Sequence, residues 1–339
     1  MIQKIAIQYL HQQLDGRVLI DVRTPAEFAK GHIPGAINLP LFTNEERVIV
    51  GTAYKKVSPE NALLKGLDFV GVKMSSFIRK ARNLAPERRL IVHCWRGGKR
   101  SGSMAWLLDM AGFDVLTIEG GYKAYRNLVL EQVEKMQLHL VVVGGRTGTG
   151  KTEILHHLRD LGEQILDLEG LAHHKGSAFG GLGELPQPSS EHFDNLLFEQ
   201  ILKLDLEKKI WIENESHGIG TVFITETFWQ KMKAAPVMNV EIPLALRVQR
   251  LVMDYAKYPK QELIDIFKRL QKKLGGKDTQ TAIEAIEQQN DFTKAAEIAL
   301  RYYDKTYQFC LETNISPNIQ RLAFDHADML AIAIRLQHS

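Results

Sequence analysis

Cysteine is almost absent. The two cysteines among 339 residues, Cys94 and Cys310, lie far apart and in no disulfide or metal-ligand spacing. That excludes a disulfide-stapled scaffold and a cysteine zinc site, and fits a reduced, cytoplasmic setting. Long apolar runs are also missing: no stretch approaches the roughly 20 residues that a membrane-spanning helix needs. Met1-Ile2-Gln3-Lys4-Ile5-Ala6-Ile7 offers neither a long apolar segment nor a small-residue cleavage site, so neither an export signal nor a membrane partner is read. Repeats and low-complexity tracts do not occur. Charge imbalance is slight; a formal net charge of +3 permits a polyanionic partner without requiring one.

What is present is ordinary globular composition, 45% apolar and 24% charged, in a chain long enough for two cores. One stretch stands out. The apolar run Leu90-Ile91-Val92 leads into His93-Cys94-Trp95-Arg96-Gly97-Gly98-Lys99-Arg100-Ser101. A buried strand ending at a cysteine, then a loop with glycines and cations, then a helix, presents a thiol inside a ring of backbone N–H groups. Arg96, Lys99, Arg100 and the helix N-terminus are expected to lower the thiol pKa and leave Cys94 largely thiolate near neutral pH. Trp95, Arg96, Gly97, Gly98, Lys99 and Arg100 then form a loop for an anionic donor. A buried structural cysteine is the alternative, and the cations and glycines argue against it. Cys310, within Tyr307-Gln308-Phe309-Cys310-Leu311, reads as helix core.

Around that loop the chain alternates strands and helices. Val18-Leu19-Ile20-Asp21-Val22-Arg23 reads as a strand, and Thr24-Pro25-Ala26-Glu27 as an N-cap, a proline at the first helical position and a capping-box acid. Gly31 to Pro40 forms a turn-rich passage into a second strand, in which His32 is a ligand or base, or bonds the backbone. Residues 44–86 exceed a simple crossover; they read as helical around Ser58-Pro59-Glu60 and again over 68–85, an insertion open to substrate contacts. Met104-Ala105-Trp106-Leu107-Leu108 has a helical period that Gly112 ends, and Asp114-Val115-Leu116-Thr117-Ile118 returns as a strand. This order implies a parallel α/β sheet with the Cys94 loop at the carboxyl end of a strand. The join, 128–137, reads as helical.

A second domain opens with the aliphatic run Leu138-His139-Leu140-Val141-Val142-Val143. Gly144-Gly145-Arg146-Thr147-Gly148-Thr149-Gly150-Lys151-Thr152 and a helical stretch follow. The pattern from Gly145 to Thr152 is a complete Walker A loop in strand-loop-helix context: N–H groups surround a phosphate, Lys151 adds charge and Thr152 is suited to Mg²⁺. A diphosphate fits it with or without a nucleoside. Lys209-Ile210-Trp211-Ile212-Glu213 is another strand, and Glu213 is either a metal-orienting carboxylate or a plain strand-end acid. After the strand Val237-Met238-Asn239-Val240-Glu241-Ile242-Pro243, Arg247 and Arg250 lie three apart, closing over a phosphate or lining a solvated face. From about residue 260 the chain reads as helical, with Lys268, Arg269, Lys272, Lys273 and Lys277 as an RNA contact or simply solvated surface. Residues 166–180 pack Asp167, Glu169, His173, His174 and Lys175 among glycines close to the Walker loop.

Three motifs in order, Asp21-Val22-Arg23 through Glu27-Phe28, Gly31-His32-Ile33-Pro34-Gly35-Ala36, and the Cys94 loop closed by Glu119-Gly120-Gly121-Tyr122, resemble a rhodanese domain over roughly residues 14–137. Sulfurtransferases of that fold usually place the closing arginine five positions after the cysteine. Arg100 is six positions after Cys94, as in dual-specificity phosphatases, so the loop looks sized for a phosphate-like donor.

Fused to a Walker A domain carrying Asp167-Leu168-Glu169-Gly170-Leu171-Ala172-His173-His174-Lys175-Gly176-Ser177-Ala178-Phe179-Gly180, the chain resembles the bacterial tRNA 2-selenouridine synthases throughout. The resemblance implies a rhodanese-like parallel-sheet domain over 1–137 and a P-loop NTPase-like α/β domain with a helical C-terminal part over 138–339. It implies action on 2-thiouridine at wobble position 34 of tRNAs for lysine, glutamate and glutamine. Geranyl diphosphate would bind Gly145, Arg146, Thr147, Gly148, Thr149, Gly150, Lys151 and Thr152 with no ATP requirement, and selenophosphate would load Cys94 as a perselenide. Asp167, Glu169, His174, Glu213, Arg247 and Arg250 are supporting candidates, Mg²⁺ is an option at Thr152, and the selenophosphate-producing enzyme is a candidate partner besides the tRNA anticodon arm. Two other readings share the motifs: a cysteine phosphatase joined to an ATP-binding domain, and a sulfurtransferase relay regulated by nucleotide.

Overall fold

The computed structural model describes residues 2–313 and 318–339, with residues 309–313 described by their backbone alone. By contacts the chain divides into two compact units, Met1–Lys135 with Asp194–Leu196, and Met136–Phe193 with Leu197–Ser339.

In the first unit β1 (Gln3–Ile5), α1 (Leu10–Gln13), β2 (Val18–Asp21), α2 (Pro25–Lys30) and β3 (Ile37–Asn38) come first. The helices α3 (Asn44–Lys56), α4 (Pro59–Gly71) and α5 (Met74–Leu84) follow, then β4 (Arg89–His93), α6 (Lys99–Met110), β5 (Asp114–Ile118) and α7 (Gly121–Lys135). The strands form one parallel sheet in the order β1-β5-β4-β2-β3. Its centre, β4, is buried because Leu90, Ile91 and Val92 are apolar on both faces of the sheet, as helix-covered parallel strands require. α2 starts as its sequence dictates: Thr24 and Glu27 close a capping box around Pro25. The expected helix over 68–85 is instead two helices. α4 ends at Gly71, and the chain turns at Val72 and Lys73 before α5 begins at Met74.

The second unit contains β6 (His139–Gly144), α8 (Lys151–Asp160), β7 (Gln164–Leu166), α9 (Leu168–Ala172), α10 (Ser190–Ile201), β8 (Lys209–Glu213), β9 (Gly218–Ile219) and β10 (Val222–Phe223). It continues with α11 (Glu226–Ala234), β11 (Val237–Glu241), α12 (Leu244–Tyr255), α13 (Lys260–Leu274), α14 (Gly276–Glu284), α15 (Phe292–Thr313), β12 (Ile319–Ala323) and α16 (Met329–Gln337). A parallel sheet runs β12-β11-β6-β8-β7, and β9 and β10 form a small antiparallel pair. The helical reading beyond residue 260 therefore needs one correction. β12 pairs with β11 in parallel register from Val237 opposite Ile319 to Glu241 opposite Ala323, and completes the sheet edge. α13, α14 and α15 build their own apolar cluster from Leu263, Ile266, Phe267, Ala282, Ile298 and neighbouring side chains. The backbone of Cys310 lies in α15, but its side chain is outside the described residues, so its core reading has no structural counterpart.

Candidate functional site

The first site is the loop at the carboxyl end of β4. Gly97 (φ +64°) packs backbone to backbone: a Cβ there would sit 2.5 Å from the Ile118 carbonyl oxygen and 3.2 Å from the Gly120 nitrogen. Gly121 (φ +58°) is equally confined, with the Cys94 carbonyl and the Gly97 nitrogen against it. These close approaches explain why a glycine pair faces the cysteine loop. The two loops are tied further, as the N–H groups of Tyr122 and Lys123 donate to the carbonyls of Cys94 and Trp95, both at 2.9 Å.

Cys94 is 3% exposed, its Sγ 3.2 Å from Ser101 Oγ. Burial pushes the thiol pKa up. The Ser101 hydroxyl, the N–H groups of Ser101 and Arg96 and, last, the Arg100 charge outweigh it, so the thiol pKa falls below its ordinary value. The helix N-terminus acts as expected, through the Ser101 N–H, but the cations contribute less: Arg96 acts through its backbone, and Ser101 is the largest lowering influence. Arg100 donates to Glu27 from Nη1 at 2.6 Å and Nη2 at 3.1 Å. Trp95, Arg96 and Lys99 are exposed around the loop.

The neighbouring motif residues are structural. Arg23, 1% exposed, bonds the Asp21 carboxylate and the Gly31 carbonyl and lies over the Tyr122 ring. His32 Nδ1 lies 3.0 Å from the Phe28 carbonyl, the backbone role open to it from sequence. His93 is fully buried, which pushes its pKa down to about 4 and keeps it neutral at pH 7.

The second site is the loop between β6 and α8. Gly148 (φ +80°) and Gly150 (φ +83°) take left-handed backbone conformations, and Lys151 opens the helix. Lys151 Nζ donates to the Gly145 carbonyl at 3.3 Å, and Thr149 Oγ bonds the Arg146 carbonyl. Gly145 N–H donates to Tyr307 Oη at 2.8 Å, and Tyr307 in turn donates to Asn239 Oδ1 at 2.7 Å. Sequence reading missed Tyr307 and Asn239; a tyrosine on a distant helix leaves no local signal for such a brace.

Carboxylates crowd this loop. Thr152 Oγ donates to Glu169 Oε2, Glu169 N–H donates to Glu213 Oε1 at 2.7 Å, and Asp167 caps α9 while meeting His156 Nε2 at 2.7 Å. Burial, with Asp167 and Glu169 adding to it, pushes the Glu213 pKa well above the usual carboxylate range. Glu215, which sequence reading missed although it follows Glu213 by two, is pushed up to about 8 by burial and Glu169 against the pull of Lys151. Burial likewise lowers the His174 pKa. Among the described residues, no three acids, histidines or cysteines are grouped to hold a metal ion.

Of the two arginines, Arg247 is neither a solvated face nor a free clamp. Arg247 is 3% exposed, pairs with both Asp304 oxygens at 2.8 Å and donates to the Thr147 carbonyl at 3.2 Å, so it braces the P-loop from behind. Arg250 holds Glu153 at 2.6 Å beside Gly150. The basic residues Lys268, Arg269, Lys272, Lys273 and Lys277 are exposed, and Lys273 reaches the cavity. That cavity, about 690 Å³, contains Gly145, Lys151, Thr152, Glu169, His174 and Glu215 in its walls. Its volume suits a small-molecule ligand.

The comparisons match both units of the chain. Residues 138–326 match the tRNA 2-selenouridine synthase AAA domain family, and residues 6–128 match the rhodanese-like domain family. A tRNA 2-selenouridine synthase of Nitrosomonas europaea is 39% identical over 70% of this chain, and the match spans 63% of that protein, under two thirds of its length. Those of Sulfurovum sp. (strain NBC37-1) and Shewanella frigidimarina are 33% and 35% identical over 89% and 90% of this chain and 91% of each relative. With both units matched in order and the relatives spanning both, the chain belongs to the tRNA 2-selenouridine synthase family.

Proposed function

We propose that this protein converts 2-thiouridine at wobble position 34 of tRNAs for lysine, glutamate and glutamine into 2-selenouridine, first geranylating the sulfur and then replacing the geranylthio group with selenium. The observation that carries the reading is the P-loop cavity. Beyond its phosphate loop it is lined by Met232, Leu251, Tyr255, Tyr302 and Tyr303, an apolar and aromatic wall suited to a prenyl chain.

In the first step the thiocarbonyl sulfur attacks C1 of geranyl diphosphate and the C1–O bond breaks. Diphosphate leaves with the bonding pair, and the base loses its N3 proton. The N–H groups from Gly145 to Thr152 and the Lys151 charge stabilise the departing anion, so ATP hydrolysis is not needed. Were Mg²⁺ to accompany the diphosphate, Thr152 and Glu169, already in hydrogen-bond contact, would be the side chains to hold it, and it would supply neutralising charge.

In the second step the Cys94 thiolate meets selenophosphate, with Arg96 and Arg100 holding the phosphate. Formation of an S–Se bond with cleavage of P–Se gives the perselenide, and the electron pair stays on phosphorus, leaving phosphite. Attack at phosphorus by the same thiolate leaves selenide and a phosphocysteine that water returns to thiol and phosphate. The six-residue reach from Cys94 to Arg100, similar to that of phosphatases, favours keeping this second route in view. Hydrogen selenide attacks C2, expels geranylthiolate and returns the proton. The perselenide attacks likewise but leaves a C2–Se–S–Cys94 linkage. The expelled geranylthiolate then attacks the Cys94 sulfur, breaking the S–Se bond to release 2-selenouridine and leaving a mixed disulfide that a cellular thiol reduces. The selenophosphate-producing enzyme is the natural donor partner, and a reduced cytoplasm keeps Cys94 competent.

Calorimetry with geranyl diphosphate and with ATP tests the P-loop assignment. Tight binding of geranyl diphosphate that is lost in Lys151→Ala supports it. ATP binding and turnover without geranyl diphosphate binding contradicts it.

A further inference from the structure

The rim of the P-loop cavity carries a group of side chains that phosphate binding does not use. The β9–β10 pair and α11 bring together His217, Phe223, Trp229 and Lys233. The His217 ring lies 4.9 Å from Trp229 and 6.0 Å from Phe223, and Lys233 Nζ stands 4.6 Å over the Trp229 ring. Phe223 is 57% exposed, while Trp229 and Lys233 are half-buried in the cavity lining. One exposed aromatic needs no explanation; three rings and a cation gathered at a cavity mouth do.

The same lining includes Lys175, Arg250 and Lys273. Of these Lys175 is paired with Glu184 and Arg250 with Glu153, and Glu226 lies 3.6 Å from His217 on the rim. Lys233 thus adds positive charge beside a flat aromatic face, and Lys273 adds charge elsewhere in the same lining. That combination is the chemistry of an unpaired nucleobase and its phosphate: the ring stacks and the cation meets the backbone. It is poorly matched to duplex RNA, whose bases are already stacked. A uridine that reacts inside such a cavity must also leave its own stack first.

We propose that the His217, Phe223, Trp229 and Lys233 cluster is a platform for an unpaired base of the anticodon loop, receiving it as the wobble nucleotide enters the P-loop cavity, with Lys233 against the adjoining phosphate. The assignment rests on the tRNA reading above and adds to it the surface that receives the loop. No bond is made or broken there; the platform positions the RNA.

Equilibrium binding of the full chain to a labelled anticodon stem-loop carrying 2-thiouridine, and to a fully paired duplex of equal length, tests it. Phe223→Ala and Trp229→Ala are expected to weaken stem-loop binding roughly fivefold or more each, with the weak duplex binding unchanged. Lys233→Gln should reduce the slope of log affinity against log salt by about one. Phe223 is exposed and outside the cavity lining, so retained geranyl diphosphate affinity in Phe223→Ala shows that the variant is folded. If the wild type binds the stem-loop and these variants bind it as tightly, the platform is refuted. A wild type that ignores the stem-loop overturns the tRNA reading, and the platform with it.

Discussion

Arg100 gives both of its terminal nitrogens to the Glu27 carboxylate, at 2.6 and 3.1 Å. The cation that closes the cysteine loop is thereby tied to the capping box of α2, since Glu27 also accepts from the Thr24 N–H at 3.0 Å. Arg100 lowers both the Glu27 and the Cys94 pKa.

That arrangement orders a set of thiol titrations. Ser101→Ala and Arg100→Gln should both raise the Cys94 pKa, Ser101→Ala more, because its hydroxyl is the first of the lowering influences. Glu27→Gln frees the Arg100 charge and should lower it. The rate of Cys94 alkylation against pH reads all three; a Ser101→Ala curve identical to wild type would remove Ser101 from the account.

Cys94→Ser should abolish selenium incorporation, by more than about a thousandfold for a lost nucleophile, while geranylation continues. Phosphorus NMR of the wild-type reaction under reducing conditions distinguishes the routes, phosphite marking direct perselenide formation and phosphate marking attack at phosphorus. Selenouridine produced by the serine variant would deny the thiolate its role.

Arg247→Ala leaves Asp304 without its bidentate partner and the Thr147 carbonyl without its donor. Breaking such a pair costs about 3 kcal/mol. The expected outcome is a lowered melting temperature together with weaker pyrophosphate binding. Weaker binding at unchanged stability would instead make Arg247 a direct ligand.

His93 makes stability pH-dependent with a definite sign. Its pKa is about 4 in the folded chain against 6.5 for an ordinary histidine, so the unfolded chain binds more protons between those limits. Stability is therefore lost as pH falls from about 6.5 to 4, by on the order of 3 kcal/mol from this group. His93→Leu should flatten that part of the melting curve. An unchanged slope would place the titration elsewhere.

Much of this was legible in the sequence because it is local. The strand, loop and helix around Cys94, the capping box at Thr24 and the Walker loop each lie within one short window, where glycine, proline and cation spacing carry the signal. β12 was not legible: Ile319-Gln320-Arg321-Leu322-Ala323 is a half-exposed edge strand with no apolar run, and only its pairing with β11 makes it a strand. The break at Val72 and Lys73 was masked by helix-forming residues on both sides. Arg247 read as a phosphate clamp or a solvated face, and not as a brace, because its partner, Asp304, lies 57 residues away. The Tyr307 brace and the Glu27–Arg100 pair were hidden for the same reason, since long-range partners leave no periodicity.

The most direct test is mass spectrometry of a 2-thiouridine anticodon stem-loop incubated with the protein, geranyl diphosphate and selenophosphate, each omitted in turn. A geranyl adduct that forms without selenophosphate and becomes selenouridine when it is added is the expected result. RNA left unchanged in every mixture by folded protein contradicts the account.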